Sequence, residues 1–140
     1  MVINPYLNFP GTTEEAFNFY KSVFGGEFFM LQRFSDTPHG AQMPEEDRDK
    51  IMHISLEVAP GYHLMATDAT ESMGFKLNVG NNVHISIMPD SRDEATRLFN
   101  GLSAGGKVEM PLEDMFWGAY YGSFVDKFGI QWMINYTNPQ

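Results

Sequence analysis

Histidine, serine and glutamate side chains alternate along a predicted strand, Ile51 to Val58, in a pattern that could support proton transfer. His53, Ser55 and Glu57 are each two residues apart, so a strand places all three on one face. A glutamate close to a histidine can orient the imidazole as a general base. His53 and Glu57 are therefore candidate catalytic residues, and His53 and Ser55 are candidates for a ligand pocket.

A second predicted strand begins at His84 and also has one polar face. His84 and Ser86 alternate there with isoleucines. An imidazole titrates near neutral pH and can bind an acidic or hydroxylated ligand. His53 and His84 therefore have two interpretations: ligand-binding residues, or residues hydrogen-bonded in the interior or at an interface. We interpret His39, in an acidic loop, and His63, near a turn, as surface residues.

Aromatic and acidic residues extend the candidate pocket. Trp117, Tyr120 and Tyr121 fall in a predicted long strand, Phe116 to Val125, and large rings with polar tips often line pockets. The same rings could instead fill the core or a dimer contact. Asp68 ends another predicted strand, where it either binds a ligand or caps the following turn.

The elements that must position these residues occur twice in the chain. An apolar strand and a turn precede a helix that begins near Thr12, and the same order precedes a helix that begins near Ser91, 79 residues later. Each start has the spacing of a capping box, Thr12 with Glu15 and Ser91 with Glu94. The two helices end at glycine pairs, which suit a left-handed C-terminal cap. A period that occurs only twice indicates a duplicated module rather than a repeat array.

The two predicted modules each contain a strand, a helix and three strands within one domain, residues 1–140. Module one covers residues 1–68, a polar connector covers 69–82, and module two covers 83–140. In module two we predict a short strand at 107–110 and an interruption at 111–114. Residues 35–50 contain prolines and a charged run, EEDRDK, and we predict a loop that is a lid, an interaction arm or a plain solvated insertion.

One strand assignment has two possible registers. By the 79-residue offset, Tyr6 and Asn8 mirror Ile85 and Ile87, yet Asn8 is polar. A shift of one residue would exchange the two faces of the first strand in module one.

Composition excludes several classes of protein. The formal charge is −9, which would repel nucleic acid phosphates. The chain contains no cysteine, so neither a disulfide nor a thiolate ligand is possible. No apolar run approaches the roughly 20 residues that span a bilayer, and the N-terminus lacks the features of a signal peptide. We therefore expect a cytoplasmic protein without nucleic acid or membrane partners.

Five segments together resemble the vicinal oxygen chelate superfamily, which includes glyoxalase I, bleomycin-resistance proteins and extradiol dioxygenases. The segments are PYLNF, GTTEEAFNFYKSVFGG, IMHISLEV, HLMATD and WGAYYGSFVDKFGIQWMI, and they cover nearly the whole chain in the expected order. The resemblance is strongest to the PhnB-like group. It implies an α+β fold in which two tandem βαβββ modules form a curled mixed sheet around a shared cavity, usually completed in a homodimer.

The resemblance also implies where a metal ion would bind. Metal-using members take one ligand from the first strand and one from the last strand of each module, typically histidine and glutamate. Only His84 matches. The 79-residue offset pairs it with Pro5, and the last-strand positions fall near Met65 or Ala66 and near Met133. Hard or borderline divalent ions need nitrogen and oxygen ligands, and one matching residue of four does not make such a site. We therefore expect no cofactor, with a divalent metal ion as the alternative.

Three functions remain compatible with these residues. The first is a metal-independent binder of an unknown small molecule, with a degenerate metal site. The second is a metal-dependent lyase, isomerase or dioxygenase that uses a rearranged site around His84, His53, Glu57 or Asp68. The third is an interaction protein whose acidic loop binds a partner. A fold that hosts many chemistries does not decide among them.

Overall fold

A computed structural model describes residues 1–139 and has the predicted α+β architecture: two βαβββ modules, each with a four-stranded mixed sheet and one helix. The chain divides into two compact units, the first covering Met1–Asn78 and the second beginning at Val79. The boundary falls within the predicted connector. The shared cavity and the single domain stay predictions.

The first unit contains one helix on a sheet of order β1-β4-β3-β2, in which β1 is parallel to β4 and the other pairs are antiparallel. Its elements are β1 Tyr6–Phe9, α1 Thr13–Phe24, β2 Phe28–Arg33, β3 Ile51–Ala59 and β4 Tyr62–Asp68. Ala16, Phe17 and Tyr20 form the apolar stripe of α1 and are fully buried. They pack on the sheet face that carries Ile54 and Ala66, which are also fully buried.

The second unit repeats this topology, with sheet order β5-β8-β7-β6. Its elements are β5 Ile85–Ile87, α2 Arg92–Ser103, β6 Lys107–Asp114, β7 Ala119–Val125 and β8 Gln131–Thr137. Leu98, Phe99 and Leu102 of α2 cover the face of the sheet that contains Trp132 and Ile134. Trp132 is completely buried and is the largest side chain of this core.

Under each helix, the sheet pairs one large residue with one small residue, and the two units place the large residue on different strands. In the first sheet, Ile54 pairs with Ala66; in the second, Gly122 pairs with Ile134. A Cβ atom on Gly122 would lie 2.6 Å from a ring carbon of Phe99. The bulky residue therefore sits on β3 in one unit and on β8 in the other.

Two strand predictions in the second module were wrong. The edge strand β6 continues from Lys107 through Pro111 to Asp114, because an edge strand tolerates a residue without an N–H and irregular register absorbs it. Strand β7 begins only at Ala119. The preceding residues form a turn in which the Gly118 N–H donates to the Met115 carbonyl.

Only one of the two predicted capping boxes forms. Ser91 Oγ accepts from the Glu94 N–H at 3.1 Å, and the Glu94 carboxylate accepts from the Asp90 N–H, one residue before the cap. The Thr12 side chain makes no capping hydrogen bond. The Thr13 N–H at the start of α1 donates to Asp68 instead, so a tertiary contact replaces the local cap.

The predicted loop at 35–50 is irregular but folded. It contains short 3₁₀ turns at Phe34–Asp36, Pro38–Gln42 and Glu45–Asp47, and a further one at Glu71–Met73 lies in the connector. Asp47 joins the two segments, because one carboxylate oxygen accepts from Lys50 Nζ at 2.6 Å and the other from Ser72 Oγ at 2.8 Å. The roles of lid and interaction arm remain predictions.

Candidate functional site

The face of each sheet opposite its helix, here called the open face, carries the same row of side chains in both units. In the first unit the register aligns Tyr6, Met65, Ser55 and Met30 across β1, β4, β3 and β2. In the second unit it aligns Ser86, Met133, Ser123 and Met110 across β5, β8, β7 and β6. The duplication therefore extends to a Met–Ser–Met row across three neighbouring strands of each sheet.

This register corrects the expected match between the first strands of the modules. Tyr6 corresponds to Ser86, an offset of 80 rather than 79, so the position equivalent to His84 is Asn4 and not Pro5. The physical reason is one additional residue between strand and helix in the first module. Tyr6 and Asn8 therefore lie on the open face with His53, as the alternative register predicted.

Two hydrogen-bonded groups occupy the open face of the first sheet. The Tyr6 hydroxyl lies 3.0 Å from His53 Nδ1, and the two rings are stacked with centroids 5.6 Å apart. The second group joins Ser55, in the Met–Ser–Met row, to the next open-face positions on β4 and β3. His63 Nδ1 lies 3.1 Å from Ser55 Oγ, and His63 Nε2 lies 3.4 Å from a Glu57 carboxylate oxygen. Burial raises the pKa of the Tyr6 phenol, which keeps its hydroxyl available as a donor.

The predicted pairing of His53 with Glu57 is therefore wrong, and so is the surface assignment of His63. Residues four apart on one strand are separated by about 13 Å, because a strand rises about 3.3 Å per residue. His63 stands opposite Glu57 on the neighbouring strand, at pairing distance. Its alternation with Met65 along β4 was the sequence signal that pointed to the open face.

Ser55 is a buried anchor for the His63 ring. Ser55 is only 3% exposed, and its hydroxyl oxygen is within hydrogen-bond distance of His63 Nδ1. A serine that acts as a nucleophile must be accessible to the substrate, and the Ser55 hydroxyl is too buried for that role. The Ser55–His63–Glu57 chain is therefore suited to orienting an imidazole and binding a ligand.

A second histidine–glutamate pair spans the open face of the second sheet. His84 lies just before β5, at one edge, and Glu109 lies on β6, at the other edge, yet His84 Nε2 and a Glu109 carboxylate oxygen are 3.3 Å apart. Three strand spacings amount to about 14 Å in a flat sheet, so the sheet curls and both side chains reach over β8 and β7. Ser123, at 5% exposed, is buried in this concave face. Glu109 lies at an irregular step in the register of β6, which no sequence pattern revealed.

The aromatic residues of the predicted pocket separate into three environments. Tyr120 is on the helix face: its hydroxyl is 3.0 Å from Thr96 Oγ1, and the Arg92 guanidinium lies 3.8 Å from the centre of its ring. Its assignment to the pocket is therefore corrected, because alternation along β7 points it at α2. Tyr121 is on the open face opposite Asn135, whose buried amide oxygen has no hydrogen-bond partner among residues 1–139. Trp117 lies in the β6–β7 turn, 56% exposed, and its ring contacts Tyr121 with centroids 6.3 Å apart.

Asp68 is a structural residue. It is 4% exposed, and its two carboxylate oxygens accept from the Thr13 N–H at 3.0 Å and the Ile51 N–H at 2.8 Å. It therefore joins the start of α1 to the start of β3, and does not cap the turn that follows it. Both oxygens are committed to backbone groups, which corrects its assignment as a ligand-binding residue.

A polar cavity of about 480 Å³ lies elsewhere in the first unit, between the 3₁₀ turns and the connector. Its lining includes the paired Asp47 and Lys50, and also Thr70, whose buried hydroxyl has no hydrogen-bond partner in the described part of the chain. None of the predicted site residues lines it. It is therefore separate from the open face.

The residues at the superfamily's metal positions do not fit a divalent ion. The last-strand positions are occupied by Met65 and Met133, whose thioethers suit soft ions. Within residues 1–139, no group of three or more histidine or carboxylate side chains is arranged to hold a metal ion. Each open face has one histidine–glutamate pair, and its two members contact each other. Nor is any helix in that range long and apolar enough to cross a membrane.

Comparison with known proteins agrees with this architecture. The sequence profile of the Glyoxalase/Bleomycin resistance protein/Dioxygenase superfamily matches residues 2–134. Protein YjdN of Escherichia coli K12 is 31% identical over 150 aligned positions, covering 100% of this chain and 98% of YjdN.

Solved structures give the same result. Protein PA1353 from Pseudomonas aeruginosa is 39% identical with a TM-score of 0.87, covering 99% of both chains. A PhnB protein from Bacillus cereus is 22% identical with a TM-score of 0.77, covering 98% of this chain and 100% of that one, which shows a shared fold. A βαβββ duplication with this register, matched along its length by the family profile, places the chain in the Glyoxalase/Bleomycin resistance protein/Dioxygenase superfamily.

Proposed function

We propose that this protein binds a small molecule on the open face of its first sheet, without a divalent metal ion there. The observation that carries the proposal is the pair of preformed hydrogen-bonded groups, Tyr6–His53 and Ser55–His63–Glu57. Polar groups that bind a shared metal ion point their lone pairs at one centre. The polar atoms of these two groups are instead paired within each group, and the side chains of Met30 and Met65 lie on the same face of the sheet.

The chemistry of the two groups indicates the class of ligand. With the Tyr6 hydroxyl as donor to His53 Nδ1, the Nε2–H of His53 is left to donate to a ligand oxygen. Glu57, whose side chain is 46% exposed, can accept from a ligand hydroxyl or amine. Met30 and Met65 between them offer polarisable apolar surface that adapts to a ring. We therefore expect a ligand with an apolar, preferably aromatic, middle and hydrogen-bonding groups at both ends.

A fragment titration tests this proposal, with 4-hydroxybenzoate as the first probe. Its carboxylate can accept from His53, its ring can pack on Met30 and Met65, and its hydroxyl can donate to Glu57. Nuclear magnetic resonance should record shifts of backbone amides along β3 and β4, and His53→Gln should weaken binding about tenfold, the effect of about 1.4 kcal/mol. Tyr62→Phe is the matched control, because Tyr62 is exposed on the helix side of β4. Shifts confined to other elements, or equal losses in both variants, would overturn the proposal.

A metal titration separates this function from the metal-dependent alternative. Chelator-stripped protein is titrated calorimetrically with Zn²⁺, Ni²⁺, Mn²⁺ and Fe²⁺. We expect no binding at one ion per chain in the micromolar range or tighter. Such binding, if abolished by His84→Ala, would instead favour lyase, isomerase or dioxygenase chemistry around that residue.

A further inference from the structure

Two exposed aromatic rings lie in the turn between β6 and β7, away from the surface that the proposed function uses. Phe116 is 98% exposed and Trp117 is 56% exposed. Their rings contact each other with centroids 5.0 Å apart, and the Trp117 ring also contacts Tyr121 on the open face. Phe116, Trp117 and Tyr121 therefore form one continuous group, here called the aromatic cluster. Because Phe116 buries almost no surface, the packing of the core does not account for it.

Backbone hydrogen bonds hold this turn in one conformation. The Met115 N–H donates to the Ala119 carbonyl at 2.7 Å, and the Gly118 N–H donates to the Met115 carbonyl at 3.1 Å. Gly118 has a φ of +94°, in the left-handed region that favours glycine. Its carbonyl accepts from the N–H of Asn138, the residue that follows β8. A turn fixed in this way is preorganised for binding, because little conformational freedom is lost when a ligand arrives.

A carboxylate lies beside the aromatic cluster. The register pairs Glu113 of β6 with Tyr121 of β7, so both side chains are on the open face. The Cβ atoms of two directly opposed residues are about 4.5–5.5 Å apart. Glu113 is exposed and forms no ion pair with any of the described residues 1–139, whereas the neighbouring Asp114 is paired with Arg92. Glu113 therefore keeps an unpaired negative charge at the edge of the cluster.

The electrostatics of this region favour a positively charged ligand. Residues 108–126 contain no lysine, arginine or histidine, and the formal charge of the whole chain is −9. The face of an aromatic ring is the negative part of its quadrupole. Trp117 and Tyr121 meet at an interplanar angle of 60°, an edge contact in which at least one ring keeps its faces uncovered by the other. Ring faces and the free carboxylate attract the same sign of charge.

We propose that Trp117, Tyr121 and Glu113 bind a small organic cation, for which a quaternary ammonium group is the expected chemistry. Cation–π attraction is strongest for tryptophan and acts within about 6 Å of a ring centroid. The two centroids are 6.3 Å apart, so one cation can lie within that reach of both rings. A primary ammonium carries three donors that need acceptors, whereas a quaternary one needs only ring faces and a counter-charge. The site is in the second unit and does not depend on the proposed function of the first sheet.

The two tryptophans allow a titration with an internal control. Full-length ¹⁵N-labelled protein is titrated with choline at constant ionic strength, and the two indole N–H signals are followed by nuclear magnetic resonance. The Trp117 signal should shift and saturate. The Trp132 signal should not move, because that indole is completely buried and donates to Asp126 at 2.8 Å. The uncharged isostere of choline, 3,3-dimethylbutan-1-ol, should bind at least about fivefold more weakly, since it lacks the charge that the rings attract.

Variants then test the residues of the site, with the Gly118 amide as the reporter. Trp117→Leu and Glu113→Gln should each weaken choline binding about threefold or more, the effect of one exposed cation–π or ion-pair contact. Glu71→Gln, at an exposed glutamate of the first unit, is the matched control and should bind choline as the wild type does.

Four results would overturn the proposal. They are an unchanged Trp117 signal, equal affinity for choline and its uncharged isostere, equal affinities of Glu113→Gln and Glu71→Gln, and a Trp117 signal that responds to protein concentration but not to choline. The last result would instead indicate a contact between two copies of the chain. All four would leave the proposed function of the first sheet intact, because the fragment titration is read from amides of β3 and β4.

Discussion

Replacement of Asp68 by asparagine should destabilise the first unit, because this buried carboxylate holds two backbone N–H groups from different elements. The oxygens accept at 3.0 Å from Thr13 and at 2.8 Å from Ile51. Hydrogen bonds to a charged group contribute about 1.5–3 kcal/mol each. An amide keeps one acceptor and turns an NH₂ donor toward the other N–H, so Asp68→Asn should lower the free energy of unfolding by about 3 kcal/mol.

Urea unfolding followed by far-ultraviolet circular dichroism measures this loss. Tryptophan fluorescence would report only the second unit, where Trp117 and Trp132 both lie. The midpoint should fall while the slope with urea stays constant, since the surface exposed on unfolding is unchanged. Amide exchange at Thr13 and Ile51 should accelerate. Asp49→Asn, at an exposed aspartate of the same unit, is the matched control and should be neutral within about 0.5 kcal/mol.

Two results would refute the reasoning. If Asp68→Asn were as stable as Asp49→Asn, the two N–H groups would not depend on the carboxylate. If exchange accelerated throughout the chain and not at the two bonded amides first, the effect would be general destabilisation rather than the loss of these hydrogen bonds.

Three further predictions concern the second unit and the helix caps. Ser91→Ala should cost about 1 kcal/mol in urea unfolding and Thr12→Ala almost nothing, because only the serine caps its helix; equal losses would contradict this. Hydrogen bonds from Arg92 lower the pKa of Asp114 from 3.8 to about 2. The stability that this pair contributes is therefore present above about pH 4 and lost as the pH falls through about 2. Carbon-detected titration should record a higher pKa of Asp114 in Arg92→Gln, and an unchanged value would refute the pairing. Gly122→Ala should cost about 1–3 kcal/mol through overpacking, because the added Cβ would lie 2.6 Å from the Phe99 ring and 2.9 Å from the Leu112 Cα. A neutral effect in urea unfolding would show that both α2 and β6 can move.

Local sequence patterns were sufficient for both helices and for most strands of this fold, but not for the bounds of β6 and β7. Capping residues, glycine pairs and apolar periodicity predicted both helices, and polar–apolar alternation placed His53, Ser55 and Glu57 on one face of β3. These signals depend on backbone geometry within one element, so no knowledge of neighbouring strands was needed. The duplicated order of elements then indicated the βαβββ repeat and, through resemblance, the family.

Only the tertiary structure decided which side chains meet. His63 pairs with Glu57 because a tight turn brings β4 beside β3, and His84 reaches Glu109 because the sheet curls; neither contact follows from spacing along the chain. Tyr6 was misplaced because one additional residue before α1 shifts the repeat, and a single-residue shift reverses the faces of a strand. The sequence left Asp68 with two interpretations, ligand binding and a cap on the following turn, and the fold instead brings two backbone N–H groups to its oxygens. Contacts between elements depend on register, curvature and burial, which the sequence specifies only through the whole packed chain.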